Sequence, residues 1–265
     1  MRCTVRRGFE RPQNGSGITV DQHVFPEGII KRFASSSGKV CLFDKIVGLP
    51  RNRYPKNEIF CAKRVWDQRS EAGPIKIVYE DPFLRLASGV VDGSITSFDD
   101  KQQACITAFF GLWEGRARFR DADGSDISLA ATGGNWTKDE EERFEKANVT
   151  YMRTGGKFPS RFVYGFEIQK IIDWYLLSYP GLRWSTVRAM EGQFVVPDYP
   201  SWGFIPISPT LILCVRCAIE SRLDGGPIDE TQELFVVKDT VADVNRHLRA
   251  GSVKYYFAQD MQQTP

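Results

Sequence analysis

The sequence predicts an α+β protein, with a mixed or antiparallel sheet drawn from N- and C-terminal strands and a central helical layer. Three observations carry this reading. Short runs rich in β-branched and aromatic residues gather near both ends: "KVCLFDK" (Lys39 to Lys45) on one side, "RWSTVRAM", "GQFVV" and "TLILCVRCA" on the other. The stretch between Asp81 and Tyr179 instead repeats its apolar residues with helical spacing. Finally, 265 residues that are 42% hydrophobic and 12% aromatic can bury a substantial core without a disulfide or metal staple. Strands at the ends with helices between them argue for α+β rather than alternating α/β.

Along the chain, residues 1–19 hold Pro12, Gly15, Ser16 and Gly17 with little periodicity and read as a flexible basic arm. Residues 20–260 then form a single α+β domain, with the Gly/Asp/Ser loop near 121–136 as the place where two lobes would divide. Ile29, Ile30 and Phe33 suggest a short helix stopped by the "SSSG" turn. "VGLPRNRYPKNE" reads as a basic loop broken by prolines, and "IKIVY" (Ile75 to Tyr79) as a strand. "EDPFLRLASGVV" has an acidic start with Pro82 in its first turn, which fits a helix N-terminus. The clearest helix is "SFDDKQQACITAFFGLWEGRARF", where Cys105, Phe109, Leu112, Trp113 and Arg116 share a face and Asp99 or Asp100 is available as cap. Thr137 followed by Glu140 is a capping-box pattern opening a charged helix. "FVYGFEIQKIIDWYLLSY" is apolar nearly all round and predicts a buried helix. The chain closes on a helix and then a strand in "TVADVNRHLRAGSVKYYFAQD".

Charge is small in sum, +2, but uneven: residues 1–70 carry 14 Lys and Arg against 6 Asp and Glu, and the rest 21 against 27. A basic third of this kind marks either a face for an anionic partner, nucleic acid or a nucleoprotein complex, or an arm that balances an acidic body. No apolar run approaches the roughly 18 residues of a membrane span. The opening residues lack the apolar stretch of a secretory signal, so no membrane partner and a cytoplasmic location are expected. Six irregularly spaced cysteines read as reduced thiols. Cys214 and Cys217 have metal-ligand spacing but lie in a β-branched run without a second pair, so a buried, metal-free strand is expected. Phosphate-loop, nucleophile-elbow and zinc-protease motifs are missing, and no cofactor is predicted, although the carboxylates leave a divalent metal open.

Gln22, His23, Pro26, Ile30 and Phe33, then Phe43, Asp44 and Lys45, then "FFGLWEGR" with Arg116, then Asp198, Pro200, Pro206, Ser208 and Pro209, and lastly Asn245, follow one another in an order that resembles an uncharacterised bacterial family, a domain of unknown function. That family opens with Asn-Gln-His-x-Val-Pro and later carries a Ser-Asp-Asn-Pro turn and a Pro-Leu-Ser-Pro strand start. The resemblance spans about residues 20 to 260. This chain departs from it at Asp21, in place of Asn, and at Pro197 and Tyr199, in place of the Ser and Asn around Asp198. It supplies no mechanism, because fold and function separate readily.

His23, Asp44 and Asp198 are the catalytic candidates, since carboxylates and a histidine at element ends can converge on one pocket. Arg32, Lys45, Arg51, Arg53 and Lys56 are the candidate substrate-binding cations. Together they would suit a hydrolase of nuclease or toxin type acting on a phosphodiester in bacterial or phage conflict, with His23 as acid or base. The alternative is a non-catalytic protein that holds nucleic acid or a nucleoprotein complex. In that case His23 hydrogen-bonds a backbone carbonyl and the aspartates hold turns.

Overall fold

A computed structural model describes residues 17–215 and 233–265; most of the proposed arm, and Cys217, lie outside the described residues. In chain order the strands and helices are β1 (Asp21–His23), α1 (Glu27–Ile30), β2 (Val40–Asp44), β3 (Leu49–Arg53), β4 (Cys61–Lys63), α2 (Gln68–Ala72), α3 (Asp81–Asp92), α4 (Asp100–Phe119), β5 (Ile127–Ser128), α5 (Lys138–Lys146), β6 (Lys157–Phe158), α6 (Ser160–Ser178), β7 (Trp184–Ala189), β8 (Val196–Pro197), β9 (Phe204–Ser208), β10 (Leu211–Val215), β11 (Leu234–Val236), α7 (Lys238–Gly251) and β12 (Tyr255–Ala258). The fold is α+β, as expected.

Strands from the first 60 and the last 70 residues meet in one four-stranded sheet of order β3-β2-β12-β8, in which β2 and β12 pair antiparallel with Leu42 opposite Phe257 and Asp44 opposite Tyr255. A second sheet, β11-β7-β10-β9, is antiparallel except where β11 runs alongside β7. Strand β10 explains why "TLILCV" is apolar at nearly every position. Leu211, Leu213 and Val215 face the main core, while Ile212 and Cys214 face a smaller core under α7 with Val241, Val244 and Leu248. Period-two alternation places both sets, and because each face is covered neither set can be polar.

The helical layer rests on α4 and α6. The capping box of α4 forms between Asp99 and Gln102, and that of α5 between Thr137 and Glu140. Gly111 and Gly115, one turn apart on α4, let α6 approach closely: a Cβ at Gly111 would stand 3.0 Å from Ile172 Cα, and one at Gly115 3.2 Å from Ile168 Cα. Behind them Phe109 stacks on Phe83 of α3, with ring centroids 3.6 Å apart.

Four local expectations are corrected. "IKIVY" is not a strand: Lys76–Glu80 forms a π-helical turn that runs directly into α3, leaving Ile77 and Val78 exposed and turning Glu80 inward. Its β-branched residues gave a propensity that the wider turn, closed on Arg116, overrides. The supposed basic loop contains β3, an outer strand whose position tolerates Pro50. "PDYPSWGFIPISP", which by its prolines reads only as a separator between strands, contains β9 (Phe204–Ser208), whose Pro206 is tolerated because the strand also lies at a sheet edge. Helix α6 is not buried all round, since Phe166, Trp174 and Leu177 are exposed. Among the described residues no helix is long and apolar enough to cross a membrane.

Candidate functional site

His23 ends β1, opposite Cys61 of β4. Its half-buried ring places Nε2 3.4 Å from the carbonyl of Pro55, and its backbone N–H donates to the carboxylate of Glu71. Asp44 ends β2 and folds onto its own turn: Oδ1 accepts from the backbone N–H groups of Ile46 (3.0 Å) and Val47 (3.1 Å), while Oδ2 lies 3.8 Å from Arg51. Asp198 follows β8 and is 4% exposed; its two oxygens accept from the N–H groups of Val253 (2.7 Å) and Lys254 (2.9 Å), with Arg120 3.7 Å away. Asp44 and Asp198 therefore flank β12 from its two sides, since Asp44 pairs with Tyr255 and the Asp198 N–H donates to the Tyr255 carbonyl. Each member of the candidate triad holds backbone of a different segment.

The five candidate cations divide in the same way. Half-buried Arg32 donates to exposed Ser88 Oγ (2.7 Å) and to the Ile207 carbonyl (3.4 Å), and burial lowers its pKa. Lys45 donates to the carbonyls of Arg249 and Ser252. Arg51 and Lys56 are exposed, and Arg53 half-buried, along and just beyond β3. Beside them Tyr54 is 58% exposed, with the Lys39 ammonium 5.1 Å from its ring centre. Cations and a proline on an outer strand also guard the edge against pairing with another chain, so this ribbon is both protected and charged.

Two ionic clusters could not be assembled from the sequence, although it places Arg116 on the apolar face of α4. In the first, Arg116, 2% exposed, donates to Glu80 (2.6 Å) and to the Ser70 carbonyl (3.1 Å) and lies 3.7 Å from Glu71, which accepts from the Trp66 indole (2.9 Å). Burial pushes the Glu71 carboxyl up despite the nearby guanidinium. In the second, Arg64 and Arg161 both meet Glu145, while Arg153 bridges Glu141 and Asp126. Arg64 and Asn148 each adopt positive φ there, 52° and 57°, conformations uncommon outside glycine. The cavity bordered by Asp67, Arg69, Glu145 and Asn148 has a volume of about 20 Å³. That is room for about one water, too little for a substrate. Both clusters depend on residues far apart in the chain, which is why only the fold reveals them.

Chemically, the β2–β3 ribbon can neutralise phosphates and offer a ring for stacking. Among the described residues no group of three or more His, Cys, Asp or Glu gathers in a way that could hold a metal ion. Compared with known proteins, the chain matches no family model, and no curated protein or solved structure shows significant similarity to it.

Proposed function

We propose that this chain is a binding protein that engages nucleic acid, free or within a nucleoprotein complex, along the β2–β3 ribbon, in preference to a phosphodiester hydrolase. The observation that carries the reading is the row of exposed Arg51, half-buried Arg53 and exposed Lys56 beside exposed Tyr54, on and just beyond an outer strand that a partner can approach. Phosphate contacts need only such cations; they set register and supply affinity without further chemistry. Hydrolysis would instead call for an acid or base within hydrogen-bond reach of a reacting atom. His23, Asp44 and Asp198 are engaged with the backbone of three different segments, which favours the framework role for them.

The test is binding of labelled duplex and single-stranded DNA and of RNA, followed by fluorescence anisotropy across a salt series. The affinity should fall linearly on a log–log plot. In Arg51→Gln/Arg53→Gln/Lys56→Gln the slope should decrease by about 2–3, roughly 0.7–0.9 for each phosphate that the variant no longer neutralises. Absence of binding at low salt, or an unchanged slope in the folded triple variant, overturns the proposal.

A further inference from the structure

The turn between β2 and β3 carries apolar residues where a hairpin tip is ordinarily polar. Ile46 is 80% exposed and Val47 46%, with Leu49 (59%) following them. The adjoining 252–254 loop adds Val253 at 63%. Leaving aliphatic side chains in water forgoes the stabilisation that burial would bring, about 25 cal/mol for each Å² of apolar surface.

The tip is also held rigidly. Asp44 Oδ1 accepts from both Ile46 and Val47, the Gly48 N–H donates to the Asp44 carbonyl (2.7 Å), and Gly48 takes φ +75°, which favours glycine. At the base of the turn, the Lys45 N–H donates to the Lys254 carbonyl (2.9 Å) and its ammonium holds the carbonyls of Arg249 and Ser252. Asp198 grips the same loop from the other side. The aliphatic pair is thus presented ready-made, and little ordering is required on contact.

Charge says what it meets. Between Lys39 and Asn57 the ribbon carries Lys39, Arg51, Arg53 and Lys56 besides the framework-bound Lys45, and a single carboxylate, Asp44, whose Oδ1 is bonded to the turn itself and whose Oδ2 lies 3.8 Å from Arg51. An apolar tip with Arg51 and Arg53 on β3, Lys56 just beyond it and Lys39 ahead of β2 complements a polyanion with an apolar interior, which describes a base-paired duplex. A lipid surface is the weaker fit, because the tip lacks the Trp or Tyr that anchors at a membrane interface. Resting on the function proposed above, we infer that Ile46 and Val47 form a wedge that enters between base pairs of a nucleic-acid duplex and unstacks them while the ribbon cations hold the phosphates.

The experiment uses duplexes carrying 2-aminopurine at staggered positions, whose fluorescence rises when the base is unstacked. Wild-type protein should raise it by about twofold or more at one or more positions. Ile46→Ser/Val47→Ser, altered only at exposed positions, should still bind with an unchanged salt slope but give no rise. A rise that persists in the double variant, or wild-type binding without a rise, overturns the wedge and leaves the binding function standing. Wild-type protein that binds vesicles of phosphatidylserine and phosphatidylcholine but no nucleic acid overturns both.

Discussion

Asp198 shows how a buried polar residue can be a clamp and not a reagent. Its two carboxylate oxygens take consecutive backbone N–H groups, fixing the loop that launches β12 beside the β2–β3 turn. Gln22 does the same for Trp66, donating to its carbonyl (2.7 Å) and accepting from its N–H (3.1 Å). Asn245, fully buried, accepts from Val195 N–H and donates to the Gln193 carbonyl. Removing such a side chain leaves buried donors unsatisfied. Asp198→Ala should therefore cost about 2–4 kcal/mol in denaturant unfolding; a loss below about 0.5 kcal/mol would contradict the clamp.

Asp67 gives a pH signature. It caps α2 by accepting from the N–H and hydroxyl of Ser70, yet burial, the largest influence, raises its pKa above the ordinary 3.8. The folded protein then holds this proton more tightly than the unfolded chain does. Stability from this group is fully present below about pH 3.8 and declines as pH rises through the raised folded value. Asp67→Asn keeps a capping oxygen and removes the titration. Thermal melts across the acid range should show a smaller decline with rising pH for the variant than for wild type, and parallel curves would refute the assignment.

Among elements, the α4–α6 crossing is the least forgiving. The positions that determine it, Gly111 and Gly115, would look like poor helix formers in isolation; they remain because Ile168 and Ile172 backbone approaches them. A Cβ at Gly111 would also meet the Tyr175 ring at 3.0 Å. Gly111→Val should destabilise by about 1–3 kcal/mol through overpacking, read as a lowered Tm, despite any gain in helix propensity. An unchanged Tm would show that the helices can separate at no cost. Elements whose local chemistry agrees with their place were readable in sequence: the capped α4 and α5, the alternating β2, and α7 followed by β12. The misread ones, β3, β9 and the π-helical turn before α3, each carry a proline or a β-branched run whose local preference is overruled by an edge position or by an inward-facing Glu80.

For the whole molecule, the division is physical. Periodicity, capping residues and composition are local, so the α+β class, strands near both ends and most helices could be read from the sequence alone, as could the concentration of cations in the first 70 residues; that "KVCLFDK" pairs with β12 while "TLILCV" lies in a separate sheet could not. Position in three dimensions is not local. Only the tertiary structure decided that Arg32 and Lys45 are occupied in the framework, that Arg51 and Lys56 remain exposed with Arg53 half-buried between them, and that Arg116 joins Glu71 and Glu80 inside the core. Sequence identifies which side chains carry charge. Whether that charge faces a partner, a carbonyl or another buried ion depends on which distant segments the fold packs against it, because a buried charge persists only where such partners satisfy it.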